Sequence, residues 1–88
     1  MKTKQGFMLR SVAGKEIVIA VGAASVDFNG LISLNETGAF LWKLLENGAE
    51  YDELLAKLLE EYDTDEATAK EGIDSFLKTA KEAGLIEE

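Results

Sequence analysis

The chain contains no cysteine and no histidine among its 88 residues. It therefore lacks a thiolate nucleophile, the usual general base at neutral pH, and the side chains that hold most zinc and transition-metal ions. Carboxylate chemistry is the only common catalytic option that remains. We expect no catalytic residue, no metal and no other cofactor, and these absences favour a binding domain over an enzyme.

Long apolar runs are also missing. No run approaches the roughly 18 residues that would span a bilayer, and no apolar stretch typical of a signal peptide follows the first four residues. We therefore expect a cytoplasmic protein that does not enter a membrane. A chain of this length supports one hydrophobic core, so residues 1–88 should form a single domain.

Positive charge is scarce in the second part of the sequence. Residues 36–88 carry five lysines against fifteen Asp and Glu, whereas residues 1–35 carry four Lys and Arg against two acids, and the net charge is -8. Such a field repels phosphate groups. A nucleic-acid partner is therefore not expected.

The first third of the sequence reads as three strands. Phe7 to Arg10 and Glu16 to Val21 are rich in apolar and β-branched residues and flank a turn at Ala13 to Lys15, which predicts a hairpin. A third apolar run covers Gly30 to Leu34, and the Asn29-Gly30 pair before it suits a turn or bulge.

From Asn35 onward, apolar residues recur at the spacing that is typical of one face of a helix. Each predicted helix has an apolar face, and the first includes Trp42 as a core residue. The first predicted helix covers Glu36 to Glu46, with Asn35 as its N-cap and Asn47-Gly48 as its stop. The second covers Tyr51 to Tyr62 and begins after the weak cap Glu50. The third covers Glu66 to Ala83, is capped by Asp63 or Asp65 and ends at Gly84. Leu85 and Ile86 should fold back onto the core.

This order predicts an α+β, winged-helix-like fold in which a three-stranded antiparallel sheet is followed by three helices. Winged helices often bind DNA through lysines and arginines on the last helix. Residues 50–83 instead hold eleven acids against four lysines. DNA binding therefore rests on fold analogy alone.

The third strand presents an edge that nothing in its sequence protects from pairing. Residues Gly30 to Leu34 include no proline or lysine, which are the residues that usually discourage the addition of a strand. Alternation should direct Ile32 and Leu34 to the core, and Leu31 and Ser33 away from it. An extended peptide could pair with this edge.

The segment from Gly30 to Trp42 resembles the PqqD family, whose signature is a strand, a Leu-Asn pair, small residues and a helix. The order of the other elements agrees with that family over residues 6–86. The resemblance implies a peptide-recognition domain that binds the leader of a ribosomally made precursor peptide as an added strand. It also implies a partner enzyme that modifies the peptide, such as a radical SAM protein.

The resemblance also implies a set of contact residues. It places the bound leader between the third strand and the third helix, where its contacts would be Leu31, Ile32 and Ser33 on the strand and Ala69, Ile73 and Leu77 on the helix. The Asn47-Gly48 pair stands where the family usually has Asp-Gly, so the resemblance does not specify which peptide product the pathway makes. The acidic helices suggest a leader that carries Lys or Arg around an apolar anchor.

A second interpretation stays open. Apolar residues occupy both faces of Ile17 to Val21, which is typical of a strand covered on each side. The protein would then be a structural or regulatory domain that associates with itself or docks on an enzyme subunit through its sheet edge. We expect a monomer or a weak dimer.

Overall fold

The computed structural model describes residues 1–21 and 31–87, without the side chain of Leu31. The predicted turn at Asn29-Gly30 lies outside these residues. The elements follow one another as β1 (Lys2–Thr3), β2 (Phe7–Val12), β3 (Lys15–Ala20), β4 (Leu31–Leu34), α1 (Glu36–Glu46), α2 (Tyr51–Glu61), α3 (Glu66–Glu82) and β5 (Ile86–Glu87).

The three predicted strands form one antiparallel sheet in the order β2-β3-β4. Ala13 and Gly14 connect β2 to β3, and their φ angles of 52° and 80° are both in the left-handed region. A two-residue loop of this geometry matches the twist of the strands that it joins. The order leaves β2 and β4 at the two edges of the sheet.

The two faces of the sheet differ as the alternation predicted. Leu9, Val18 and Ile32 are paired in register and pack toward the helices. Met8 and Ile19 are paired with each other in the neighbouring row, so their side chains point to the opposite face. One face of the sheet therefore builds the core, and the other faces away from it.

The helix boundaries agree with the predicted ones to within one residue. The Asn35 side chain caps α1 by accepting the Gly38 N–H at 2.7 Å. The Glu53 carboxylate supports the start of α2 by accepting the Glu50 N–H at 3.3 Å. Of the two predicted caps for α3, Asp65 is the one observed.

The predicted glycines at the ends of α1 and α3 are also confirmed. Gly48 and Gly84 have φ angles of +84° and +74°, a backbone conformation that residues with a side chain rarely adopt. The helices bury their apolar faces against one another and against β3. The fully buried side chains at the centre of this core are Val18, Leu41, Trp42, Leu45, Leu54, Ile73 and Leu85.

The prediction of three strands was incomplete, because residues 1–21 and 31–87 contain five. Strands β1 and β5 pair antiparallel through Lys2 with Glu87 and Thr3 with Ile86, and the backbone of Met1 accepts the Ala49 N–H at 2.9 Å. Two-residue strands are too short to show a period of two, and their pairing joins distant parts of the chain. The predicted return of Leu85 and Ile86 to the core is confirmed, since both are buried.

Removal of the α1 cap should destabilise the protein. We expect Asn35→Ala to lower the free energy of unfolding by about 1 kcal/mol, because the Gly38 N–H loses its acceptor. Asn35→Asp keeps an acceptor oxygen and is the matched control. Urea unfolding followed by far-UV circular dichroism measures both, and equal losses in the two variants would contradict the capping role.

Candidate functional site

Strand β4 lies at an edge of the sheet as far as the structure describes the chain. It pairs with β3 on one side, and within residues 1–21 and 31–87 no other strand pairs with it on the other. In an antiparallel ladder every second residue directs its backbone N–H and C=O away from the existing partner. The strand sequence Leu-Ile-Ser-Leu places no charge or proline there. This edge can therefore accept another strand.

A groove of about 540 Å³ lies beside this edge, between the end of β4, the start of α1 and one side of α3. Its volume is within the range of small-ligand sites. Strand β4 and helix α1, with the Asn35 cap between them, contribute Ser33, Leu34, Asn35, Thr37 and Gly38. The end of α2 and the segment after it contribute Leu58, Tyr62, Asp63 and Thr64. Helix α3 contributes Thr68, Ala69, Gly72, Ser75, Phe76 and Thr79.

Helix α3 turns a line of small residues toward the groove. Thr68, Gly72, Ser75 and Thr79 follow one another at steps of four, three and four residues, which keeps them on one side of a helix. Each directly precedes a buried residue, and these are Ala69, Ile73, Phe76 and Ala80. The helix therefore has two adjacent stripes, one for the core and one for the groove.

Two glycines let α1 and α3 approach each other beneath the groove. A Cβ on Gly38 would lie 3.2 Å from Asn35 Oδ1, which is tighter than ordinary contact, and 3.4 Å from Phe76 Cδ1, which is at the lower limit of ordinary contact. A Cβ on Gly72 would meet Thr37 Cγ2 at 3.7 Å, which is ordinary contact. A side chain at position 38 would therefore require its neighbours to shift by a few tenths of an ångström, whereas one at position 72 would make only ordinary contact.

The groove carries little charge. Its ionisable side chains are Asp63 and Tyr62, and the pKa of Tyr62 is raised by burial and, to a smaller degree, by the nearby carboxylates Glu36 and Glu61. The phenol is therefore neutral at physiological pH. Its ring packs edge-on against Phe40, with ring centres 5.5 Å apart. Apolar side chains and hydroxyl groups make up most of the lining, which suits binding through hydrogen bonds and apolar contacts.

The structure brings only part of the predicted site together at this groove. Ser33 is exposed on β4 and lines the groove, as does Ala69 on α3. Ile32 is half-buried and packs against the core. Ile73 and Leu77 are 0% and 7% exposed and lie in the core rather than on the groove.

The remaining predicted residue is Leu31, and its side chain lies outside the described part of the structure. Its backbone pairs with Ile19. The residues that the family resemblance implies on α3 belong to its apolar stripe, and they do not include the groove-lining residues one position before it. The signal that could have found them is the regular spacing of small side chains at Thr68, Gly72, Ser75 and Thr79.

Neither a metal cluster nor a membrane helix is found in the part of the chain that the structure describes. Within residues 1–21 and 31–87, no three His, Cys, Asp or Glu side chains are grouped so that they could hold a metal ion. None of the helices in these residues is both long and apolar enough to cross a bilayer.

Comparison with known proteins gives one family and two similar structures. The sequence profile of the family described as coenzyme PQQ synthesis protein D (PqqD) matches residues 17–86. The structure of TbiB1 in complex with the TbiA(beta) leader peptide matches at 21% identity and a TM-score of 0.76, covering 99% of this chain and 95% of that one. No curated protein matches significantly.

The second similar structure is lasso peptide synthetase B1 complexed with the leader peptide. It matches at 16% identity and a TM-score of 0.74, covering 99% of this chain and 96% of that one. At these identities the likeness concerns the fold. Both comparisons confirm the α+β architecture over nearly the whole chain.

The cap of α3 should make stability depend on pH. Asp65 Oδ1 accepts the Thr68 N–H at 2.7 Å, and this backbone hydrogen bond holds the pKa of Asp65 below its usual value of 3.8. A carboxylate with a lowered pKa in the folded state stabilises the protein above the unfolded-state pKa, and this contribution is lost as the pH falls through the folded-state pKa.

The variant Asp65→Asn tests this, because it keeps an acceptor oxygen that does not titrate. We expect the difference in unfolding free energy between wild type and variant to be constant above about pH 5 and to shrink below it. Urea unfolding across a pH series measures it. A difference that stays constant down to about pH 3 would contradict the assignment.

Proposed function

The chain belongs to the PqqD family, and we propose that it is a non-catalytic adaptor that captures the leader of a ribosomally synthesised precursor peptide. The observation that carries this proposal is the weakly charged groove beside the open edge of β4. An extended peptide there gains main-chain hydrogen bonds from the strand and side-chain contacts from α3. This mode of recognition is β-strand addition.

The two similar structures support the proposal. Each contains a B1 protein together with a leader peptide, and this chain shares their fold over almost its full length. Because the fold is shared, we expect the open strand and the last long helix to be equivalent in all three proteins. A leader peptide could therefore pair with the edge of β4 in this protein.

The contacts that we propose combine predicted residues with residues that the structure adds. The backbone of Leu31, Ile32 and Ser33 pairs with the peptide, and Ala69 forms part of the groove floor. Thr68, Gly72, Ser75 and Thr79 form the wall on α3. Ile73 and Leu77 do not contact the peptide in this proposal. They are buried in the core, and their packing keeps α3 in position beside the groove.

A modifying enzyme, such as a radical SAM protein, would dock on the other face of the sheet. Met8 and Val12 are 43% and 52% exposed on β2, and Val21, just beyond β3, is 37% exposed. Arg10 and Lys15 belong to the same face by alternation. An apolar surface with two cations suits a partner with an apolar patch and carboxylates around it.

Peptide binding can be tested with a library of candidate guests. A phage-displayed library that tiles the short open reading frames of the source genome provides the candidates, and the selected peptide is titrated into isotopically labelled protein. We expect amide shifts concentrated in β4 and α3. Selection of no peptide, or shifts confined to β2 and α2, would overturn the proposal.

Gly72 offers a sharper test of the groove. Gly72→Leu should project a side chain into the groove and weaken the selected peptide at least about tenfold, because the peptide and the leucine compete for the same space. Gly72→Ala is the matched control, since its Cβ makes only ordinary contact and alanine favours a helix by about 1 kcal/mol. Calorimetric titration measures the affinity of both variants. Equal affinities would show that the peptide binds elsewhere.

The alternative function, association of the domain with itself through its sheet edge, is favoured by the same free strand. Sedimentation velocity separates the two functions. We expect a monomer whose sedimentation does not change with concentration. A stable dimer that dissociates when the selected peptide is added would instead support self-association through β4.

A further inference from the structure

A second groove, of about 700 Å³, lies beyond the end of β4. It is bounded by the tip of the β2–β3 hairpin and by the outward side of α1. Its charged lining residues are Lys15 and Glu16 from the hairpin and Glu36 and Lys43 from α1. It thus differs from the first groove, whose lining contains a single carboxylate.

The two grooves are continuous. Ser33, Leu34, Asn35 and Tyr62 line both of them, so they meet where β4 ends. The Tyr62 ring is held there by edge-on contact with Phe40, at an interplanar angle of 88°. A peptide that pairs with β4 and continues in the direction of Asn35 would pass this ring and enter the second groove.

The positive charges along this combined path are confined to the second groove. Among the described residues that line the two grooves, Lys15 and Lys43 are the only cations, while Glu16, Glu36 and Asp63 are the carboxylates. Within the described residues, neither lysine has a carboxylate within ion-pair distance. The rest of the protein, with a net charge of -8, repels an acidic side chain.

We infer that the second groove binds a segment of the same peptide that flanks the paired strand and carries an acidic residue for Lys15 and Lys43. This inference rests on the proposed function, because it needs a peptide on β4. It adds a determinant that strand pairing does not supply. Main-chain hydrogen bonds alone permit a peptide to slide along an edge by two residues, whereas an acid held beside Lys43 selects one register and one direction.

The test uses the displayed-library peptide in its full selected length and in a version shortened at the end that approaches Asn35. We expect Lys43→Glu and Lys15→Glu each to weaken the full-length peptide roughly fivefold, the effect of a partly exposed ion pair. The shortened peptide should bind both variants as it binds the wild type. Lys57→Glu, on the exposed surface of α2, is the matched charge control and should leave both peptides unaffected.

A charge swap makes the test specific. Replacing the acidic residue of the peptide by lysine should weaken its binding to the wild type and restore binding to Lys43→Glu. Calorimetric titration at low salt measures these affinities, and nuclear magnetic resonance of labelled protein should show shifts at Glu36 to Lys43 with the full-length peptide only.

The possible failures are distinguishable. If both peptides bind all variants equally while β4 and α3 still shift, the second groove is not used and the inference is overturned, but the proposed function stands. If the charge swap restores nothing, the lysines do not contact the acid and the inference is likewise overturned. If neither peptide perturbs β4 or α3, the proposed function itself fails.

Discussion

The close approach of α1, β4 and α3 at Gly38 is the contact on which the rest of the structure depends. Asn35 ends the strand and caps the helix in a single residue, so the direction of β4 and the axis of α1 are coupled. Phe76 packs against the space where a Gly38 side chain would stand. Gly38 and Phe76 both line the first groove, so this contact forms part of its wall.

Much of the fold could be predicted because each element carries its own local signal. The helices were predictable from apolar periods and from residues with one physical role, such as the acceptor side chains of Asn35 and Asp65 and the left-handed glycines 48 and 84. Strands β1 and β5 could not be predicted. Their pairing joins the two ends of the described chain, and two residues carry no period.

The candidate site was less predictable than the fold for a physical reason. An apolar stripe on a helix marks what the helix buries, so Ile73 and Leu77 belong to the core. A groove needs positions that are accessible but not bulky, and small polar residues such as Thr68 and Ser75 resemble ordinary surface in a sequence. Only their regular spacing beside the apolar stripe distinguishes them. Ser33 and Ala69, which the family resemblance implied as contacts, do line the groove.

Charge is distributed so that separate surfaces suit separate guests. The first groove is lined mainly by hydroxyl and apolar groups, the second groove holds Lys15 and Lys43, and the outward face of the sheet combines Arg10 with apolar side chains. A strongly acidic remainder keeps other anions away by long-range repulsion. The weakly charged groove and the two lysines of the second groove would therefore both contribute to selecting the peptide.

The two stripes of α3 have a consequence for how this domain can change over evolutionary time. Residues that hold the helix in place and residues that face a guest are immediate neighbours along the chain, for example Ala80 beside Thr79, and Thr79 lines the groove whereas Ala80 is buried in the core. Substitutions at the exposed positions of the groove stripe leave the buried side chains of the core stripe unchanged. The scaffold can therefore acquire a new peptide preference through a few surface changes while its folding stability is inherited intact.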